Sequence, residues 1–466
     1  MGDKTGLALG RRGLLEAAVG AGLASQARGL AWAPPAIARQ EKTSLRDGGP
    51  GVARQPRFGP VVAGRSKSPR FRTVLALDGG GTRGMVSTMV LKRLEEKIKD
   101  NLRRRGKASG DFEVDLADYF DLIAGTSIGS IIATYLTTRG GRSAGMLEEQ
   151  EFVDWAGEVG QPLRPGTPGA LEAIFKFKSD EIFPHSWSYG LPGPLDGVEA
   201  IFHAKFDPKG LNQVLEAALG DAMLQDCQTS LVVPTFELKT SRPVDFWASY
   251  KDGGVKETGY TSIRVRDKGG ATEWEADREF MNGYDFKLRE LAAASAAFPM
   301  MFPASEIQYP DGRKLKYADG GLIASNPTAS ALSYLRQQRN VEINDIAVLS
   351  LGCGVVLPDR LKVSDAGFYG WNKKGGLIPL LLDQKSEYVQ SIVDGIYYKV
   401  LERPYGQYTR IQIALDKDDP YLGDKIDALE TADDYEEMEN LRKIGIRVAE
   451  TNDEVIGQFV DKFLMV

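Results

Sequence analysis

The segment Phe120-Asp121-Leu122-Ile123-Ala124 runs straight into Gly125-Thr126-Ser127-Ile128-Gly129, and helical apolar spacing follows from Ile128 to about Thr137. A buried strand that must turn into a helix within so few residues has no room for side chains two positions before or after its centre, and glycine stands at both. Such a turn leaves the hydroxyl of Ser127 exposed at a helix N-terminus, where the peptide dipoles favour developing negative charge. Ser127 is therefore the candidate nucleophile, with Gly125, Thr126, Ile128 and Gly129 forming its elbow. The same strand, turn and helix pattern occurs once before. Thr73 to Leu77 reads as a buried strand, Asp78-Gly79-Gly80-Gly81-Thr82-Arg83-Gly84 as a glycine-rich turn, and Val86, Val90, Leu94, Ile98 and Leu102 as one face of a helix.

Further apolar runs at Leu231 to Phe236, Ile346 to Leu351 and Arg410 to Leu415 read as strands between helical stretches. Strands alternating with helices predict an α/β fold with a mainly parallel sheet flanked by helices. No internal repeat is apparent. The chain has 466 residues and is 42% hydrophobic and 26% charged, ordinary usage for a globular protein with a sizeable core. Two cysteines, Cys227 and Cys353, exclude a disulfide framework and a four-cysteine zinc site, leaving one bridge formally open. His185 and His203 are the only histidines, which excludes histidine-rich metal chemistry. What chemistry there is must rest on hydroxyls, carboxylates and backbone dipoles.

Consecutive glycines let backbone N–H groups approach an anion together, so Gly79, Gly80, Gly81, Thr82, Arg83 and Gly84 form a candidate oxyanion hole or phosphate cradle. An activated serine also needs a base. A histidine after Ser127 would have to be His185 or His203, and both read as loop or surface residues around Pro184 to Pro194. A carboxylate taking the proton directly is the alternative. The best candidate is Asp319 in Tyr317-Ala318-Asp319-Gly320-Gly321, a turn in which Gly320 and Gly321 free the carboxylate to reach another loop. An Asp-Gly-Gly turn means little alone; in company with the other two motifs it becomes a proton acceptor.

Residues 1–72 carry thirteen Lys/Arg against four Asp/Glu, a surplus of nine that leaves the remainder strongly acidic within a net charge of −6. An acidic body argues against nucleic acid as the main partner, whereas the basic arm suits contact with an anionic lipid surface or a solvated linker. Arg11-Arg12, the small apolar run Ala17 to Ala24, and the Ala31-Trp32-Ala33 and Ala36-Ile37-Ala38 sites resemble a twin-arginine export signal, although Glu16 and Pro34 depart from it. Two locations follow, export and cytoplasm. No apolar run is long enough to span a bilayer. The expected organisation is an export-like or extension arm at 1–38, a basic Gly/Pro-rich linker at 39–70, a catalytic domain at 71–420 and a C-terminal helical extension at 421–466.

Taken together, the Asp-Gly-Gly-Gly-x-Arg-Gly turn, the Gly-x-Ser-x-Gly elbow about forty residues later and the Asp-Gly-Gly turn resemble the patatin-like phospholipases, and a bacterial patatin-like acyl hydrolase is what the chain most looks like. Ala293 to Pro303 looks like the family's segment ahead of its aspartate. Val348 to Gly354 looks like a later strand end, with Cys353 where threonine is usual, and Glu387 to Ile413 looks like the helix and strand that close the core. The resemblance, covering about residues 71–415, implies a three-layer patatin-like sandwich, Ser127 as nucleophile and Asp319 as its base. It implies oxyanion donors from Gly79 to Gly84, with Arg83 adding positive potential or anchoring the loop. The implied reaction is acyl-ester hydrolysis of a lipid or phospholipid through an acyl-enzyme, with no metal or cofactor.

Phe368, Tyr369, Trp371 and the leucine-rich run Leu377 to Leu382, flanked by Lys373-Lys374, form a candidate interfacial or acyl-chain contact; the apolar pairs Tyr388/Val389, Ile392/Val393, Ile396/Tyr397 and Val400/Leu401 read as core packing of a following helix. Two other functions compete. A storage or regulated effector protein of the same fold keeps the same motifs, and an actin-like phosphotransferase would use Asp78 to Thr82 and Asp319-Gly320-Gly321 as phosphate loops but leaves the Ser127 elbow unexplained.

Overall fold

The computed structural model describes residues 71–109, 112–140, 143–161, 163–184, 204–251, 254–267, 274–356, 377–402, 406–416, 418–421 and 437–465. The arm and linker at 1–70, both histidines, and Phe368, Tyr369, Trp371 and Lys373-Lys374 lie outside the described residues.

Apolar runs rich in β-branched residues make the central strands, with Pro234 inside the third of them. β1 (Arg72–Leu77), β2 (Leu122–Gly125), β3 (Ser230–Glu237), β9 (Ile346–Leu351) and β11 (Tyr408–Ile411) pair in parallel in the order β11-β9-β1-β2-β3. These are the expected strands, with the last one broken: β12 (Ala414–Leu415) leaves the main sheet to pair with β10 (Val355–Val356). Beyond β3 the sheet turns antiparallel through β4 (Arg242–Lys251), β5 (Gly254–Asp267) and β6 (Trp274–Asn282), while β7 (Ser305–Gln308) and β8 (Lys314–Asp319) form a hairpin on β3.

Alternation along the strands sorts the core into two faces. Leu75, Leu77 and Ile123 point to one face with α1 (Gly84–Arg104), α2 (Ile128–Thr137), α3 (Pro168–Ile182), α4 (Pro208–Leu219) and α5 (Leu288–Ser295). Val74, Ala76, Leu122 and Ala124 point to the other, where α6 (Thr328–Gln338) and α7 (Leu377–Asp394) contribute Leu332, Leu335 and Val393. The result is a three-layer α/β sandwich. Each fully buried Leu or Val contributes roughly 1.5–3 kcal/mol by leaving water, so this period-2 pattern holds the layers in register. α8 (Met438–Thr451) lies on α1, with Gly445 close against Met89 and Val86, and Phe459 and Phe463 pack on Phe120 and Phe71. The C-terminal helices are therefore part of the same core.

Two expectations change here. The leucine run at 377–382 does not precede the helix but forms its first turns, since leucine favours helix and Pro379 sits where its missing N–H would have had no partner. The helix pairs also split by face. Val393 and Tyr397 are buried, whereas Tyr388, Ile392 and Val400 are exposed at 70%, 47% and 74%, so only one half of the pattern is core packing. Among the described residues no helix is long and apolar enough to cross a membrane.

Candidate active site

Strand register brings three distant motifs to one point. Leu77 and Gly125 are paired neighbours, so the glycine-rich loop after β1 and the elbow after β2 emerge side by side at the carboxyl ends of parallel strands. Ala124 pairs with Val232 on β3, which sets Ser127 level with Thr235 three residues on; β8 runs antiparallel there, and Asp319 pairs with Thr235. The aspartate arrives at the height of the serine.

The elbow is tight enough to explain its glycines. A Cβ on Gly125 would stand 2.0 Å from the Gly129 carbonyl oxygen, and one on Gly129 would stand 2.2 Å from that of Leu77. Between them Ser127 adopts φ 53 and ψ −125, a conformation that costs a non-glycine residue on the order of 1–3 kcal/mol and is held by its surroundings. The Ser127 N–H donates to Ser295 Oγ at 3.0 Å, and Ser295 Oγ donates to the Pro234 carbonyl at 2.8 Å. Thr126 Oγ1 donates to the Ala324 carbonyl at 2.7 Å, tying the elbow to the turn after Asp319.

Ser127 Oγ donates to Asp319 Oδ2 at 2.7 Å. The other oxygen, Oδ1, accepts the Gly321 N–H at 2.5 Å, which keeps the carboxylate aimed at the hydroxyl. Asp319 is fully buried, and burial pushes its carboxyl up to about 7 against the opposing pull of the Ser127 and Gly321 hydrogen bonds and the Lys385 ammonium. Lys385 is depressed by its own partial burial and supported by Asp319; its Nζ donates to the Leu322 carbonyl in the Asp319 turn. A buried carboxylate titrating near neutrality, hydrogen-bonded to a strained hydroxyl, is equipped to take a proton from it.

In the glycine-rich loop, the N–H of Gly79 already donates to the Ser325 carbonyl at 2.9 Å, that of Arg83 to Gly80 at 3.2 Å, and that of Gly84 to the Gly81 carbonyl. The N–H groups of Gly80, Gly81 and Thr82 have no acceptor among the described residues, and neither does the buried Thr82 hydroxyl. The donors available to an anion are thus narrower than the whole run from Gly79 to Gly84. Gly81 lines the cavity that opens on Ser127, whose walls are Ile131, Phe175, Ile182, Phe183, Leu211 and Phe302. The cavity is narrow and apolar apart from Ser127 and Ser179, and the Ser179 hydroxyl is spent on the Phe175 carbonyl. A hydrocarbon chain loses no hydrogen bond there.

Two further buried pairs support the site, both with partners no motif identified. Arg410 grips Asp78 through two bonds at 2.8 and 2.6 Å, and Arg83 grips Asp383 through two at 3.1 and 2.9 Å. Asp383, Lys385, Ser295 and Arg410 sit in segments whose sequence reads as plain helix or strand. Cys227 and Cys353 are both buried and free, so the disulfide left open by the sequence is absent; Cys353 packs behind the loop, its Sγ 3.4 Å from the Asp78 carbonyl oxygen. Among the described residues no group of three or more His, Cys, Asp or Glu is arranged to hold a metal ion.

Residues 75–332, more than half of the chain, match the family described as "Patatin-like phospholipase". The chain is 26% identical over 432 residues to "Patatin-like protein 2" of Oryza sativa subsp. indica, covering 85% of this chain and 90% of that protein. It is 27% identical over 381 residues to "Patatin-like protein 3" of Arabidopsis thaliana, covering 76% and 75%. A "Probable inactive patatin-like protein 9" of the same plant is 26% identical over 298 residues, 62% of each chain. These relatives are plant proteins, which supports the family and not the bacterial subgroup, and the match displaces the phosphotransferase alternative. The chain belongs to the patatin-like phospholipases, a family whose broad activity is lipid acyl hydrolysis.

Proposed function

We propose that the protein is an acyl hydrolase of phospholipase A or lysophospholipase type that works through a Ser127–Asp319 dyad and an acyl-enzyme. The observation that carries this reading is the 2.7 Å hydrogen bond from Ser127 Oγ to a buried carboxylate at the mouth of an apolar cavity. Asp319 takes the hydroxyl proton as Oγ bonds to the ester carbonyl carbon, and the oxyanion so formed accepts hydrogen bonds from free N–H groups of the glycine-rich loop. Collapse breaks the bond to the alcohol, which leaves with the proton from Asp319. Water then attacks the acyl-enzyme, gives its proton to Asp319, and releases the fatty acid as Ser127 recovers its hydrogen. The apolar cavity accommodates the acyl chain, and the substrate is a lipid or phospholipid ester presented at a membrane surface.

The direct test is labelling of the folded protein with a fluorophosphonate serine-hydrolase probe, followed by mass spectrometry of the modified peptide. An adduct on Ser127 is expected; folded protein with no adduct overturns the reading.

Because the base must be ionised to act, kcat/KM should fall as pH drops through about 7, the value to which Asp319 is raised. Lys385→Met removes the ammonium that favours the ionised carboxylate, so the acid limb should move to higher pH; a limb that stays in place would exclude Lys385 from the electrostatics of the dyad. The two histidines have no part in this scheme. His185→Gln with His203→Gln should retain most of the esterase rate, and a collapse to background would instead favour a histidine triad.

A further inference from the structure

The glycine-rich loop is held by a carboxylate 300 residues away in sequence. Asp383, on the second turn of α7, is 5% exposed and makes three bonds with its two oxygens: Oδ1 accepts Arg83 NH2 at 2.9 Å, while Oδ2 accepts Arg83 NH1 at 3.1 Å and the Val356 N–H at 3.0 Å. Arg83 is completely buried, and although burial works against its charge, Asp383 more than compensates and keeps the guanidinium protonated. So fixed, the guanidinium donates through Nε to the Gly80 carbonyl at 3.3 Å and through NH1 to the Gly354 carbonyl at 2.6 Å. The Gly80 carbonyl receives the Arg83 backbone N–H as well.

What this does to the loop follows from peptide planarity. In a trans peptide the carbonyl oxygen and the following N–H point in opposite directions, and the described peptides are trans. With the Gly80 oxygen turned toward Arg83, the N–H of Gly81 points away from Arg83. Gly81 is the loop residue that lines the Ser127 cavity, and its N–H is one of those with no acceptor among the described residues. A glycine pair would otherwise flip this peptide at little cost, because neither residue has a Cβ to resist it.

We propose that Asp383 is a positioning residue for the reaction: by clamping Arg83 it fixes the orientation of the Gly80–Gly81 peptide and so aims the Gly81 N–H at the oxyanion. This rests on Ser127 being the nucleophile and the glycine-rich loop its oxyanion hole. Asp383 itself does not meet the reacting atoms.

Removing one member of a buried pair leaves the other charge uncompensated and can unfold the protein, whereas replacing both by apolar residues of similar volume is often tolerated. The informative variant is therefore Arg83→Met with Asp383→Leu, compared with Asp383→Asn and the intact protein. Turnover of a soluble short-chain p-nitrophenyl ester should fall by roughly 10²-fold in kcat, the usual cost of losing one oxyanion donor, with KM within about twofold of the original. A double variant that keeps the original kcat would overturn the proposal whatever its Tm, because the pair would then have no part in the reaction, and a lowered Tm with that kcat would show that it serves folding alone. Amide hydrogen exchange of the peptide spanning 78–84 is read on the same samples. Faster exchange at the amides of positions 83 and 84 in the double variant is expected whether or not the protein hydrolyses esters, and unchanged exchange overturns the clamp. If the intact protein neither turns over ester nor labels at Ser127 while exchange changes as expected, it is the acyl-hydrolase reading that fails and the clamp that stands.

Discussion

Ser127→Ala should lower acyl-ester turnover by roughly 10⁴-fold or more, because nothing else at the cavity mouth can form the acyl bond. The fold should survive. Alanine keeps the backbone at φ 53, the Ser127 N–H bond to Ser295 does not involve the lost hydroxyl, and the one hydrogen bond removed, to Asp319, is worth about 1 kcal/mol net. The check is an esterase progress curve, a fluorophosphonate adduct map and a thermal melt on matched samples. A variant that turns over ester at the original rate would end the assignment of Ser127. A variant that melts far below the original would mean that the elbow depends on the hydroxyl for its shape.

Asp319→Asn is the second large effect, and it separates activity from stability. Loss of the base should cost on the order of 10²–10⁴ in kcat. Stability should move the other way. The folded carboxyl is raised from 3.8 to about 7, so the native state holds its proton more tightly than the unfolded chain does. The native state is therefore penalised as pH rises from about 4 toward 7, and the penalty is complete above 7, at an upper limit on the order of a few kcal/mol. Asparagine carries no charge to bury, can accept the Gly321 N–H through its carbonyl, and can donate to Ser127. Its Tm relative to the original protein should climb between pH 4 and pH 8, by a few degrees at most for a chain this long. A difference in Tm that does not change with pH would show that burial of the Asp319 charge is not the strain inferred here.

The local chemistry was legible in the chain to an unusual degree, and the reason is steric. Gly125 is required because the Gly129 carbonyl leaves no space for a Cβ, a requirement that acts over five residues, the range at which a sequence can be read, whereas Gly129 is required by the Leu77 carbonyl on the neighbouring strand. The parallel strands and α1 were equally readable, since continuous apolar runs and i+4 spacing are local properties. The antiparallel arm β4 to β8 was not. Its strands mix charges with apolar residues, as in the exposed Lys256-Glu257 of β5, and a strand so mixed looks much like a loop.

By itself, then, the sequence determined the elbow at Ser127, the flexible glycine loop and the availability of an acid at Asp319, all of them short-range consequences of side-chain size and backbone freedom. Only the tertiary structure decided that Asp319 reaches Ser127, which depends on β8 pairing antiparallel to β3 at Thr235. It also decided which N–H groups of the loop have no acceptor among the described residues and that Asp383, 300 residues from Arg83, holds the guanidinium bonded to the Gly80 carbonyl. Hydrogen bonds and charges act across a few ångströms of space with no regard to chain separation, so a lone Asp in a helix looks the same in sequence whether it faces water or holds a catalytic loop in place.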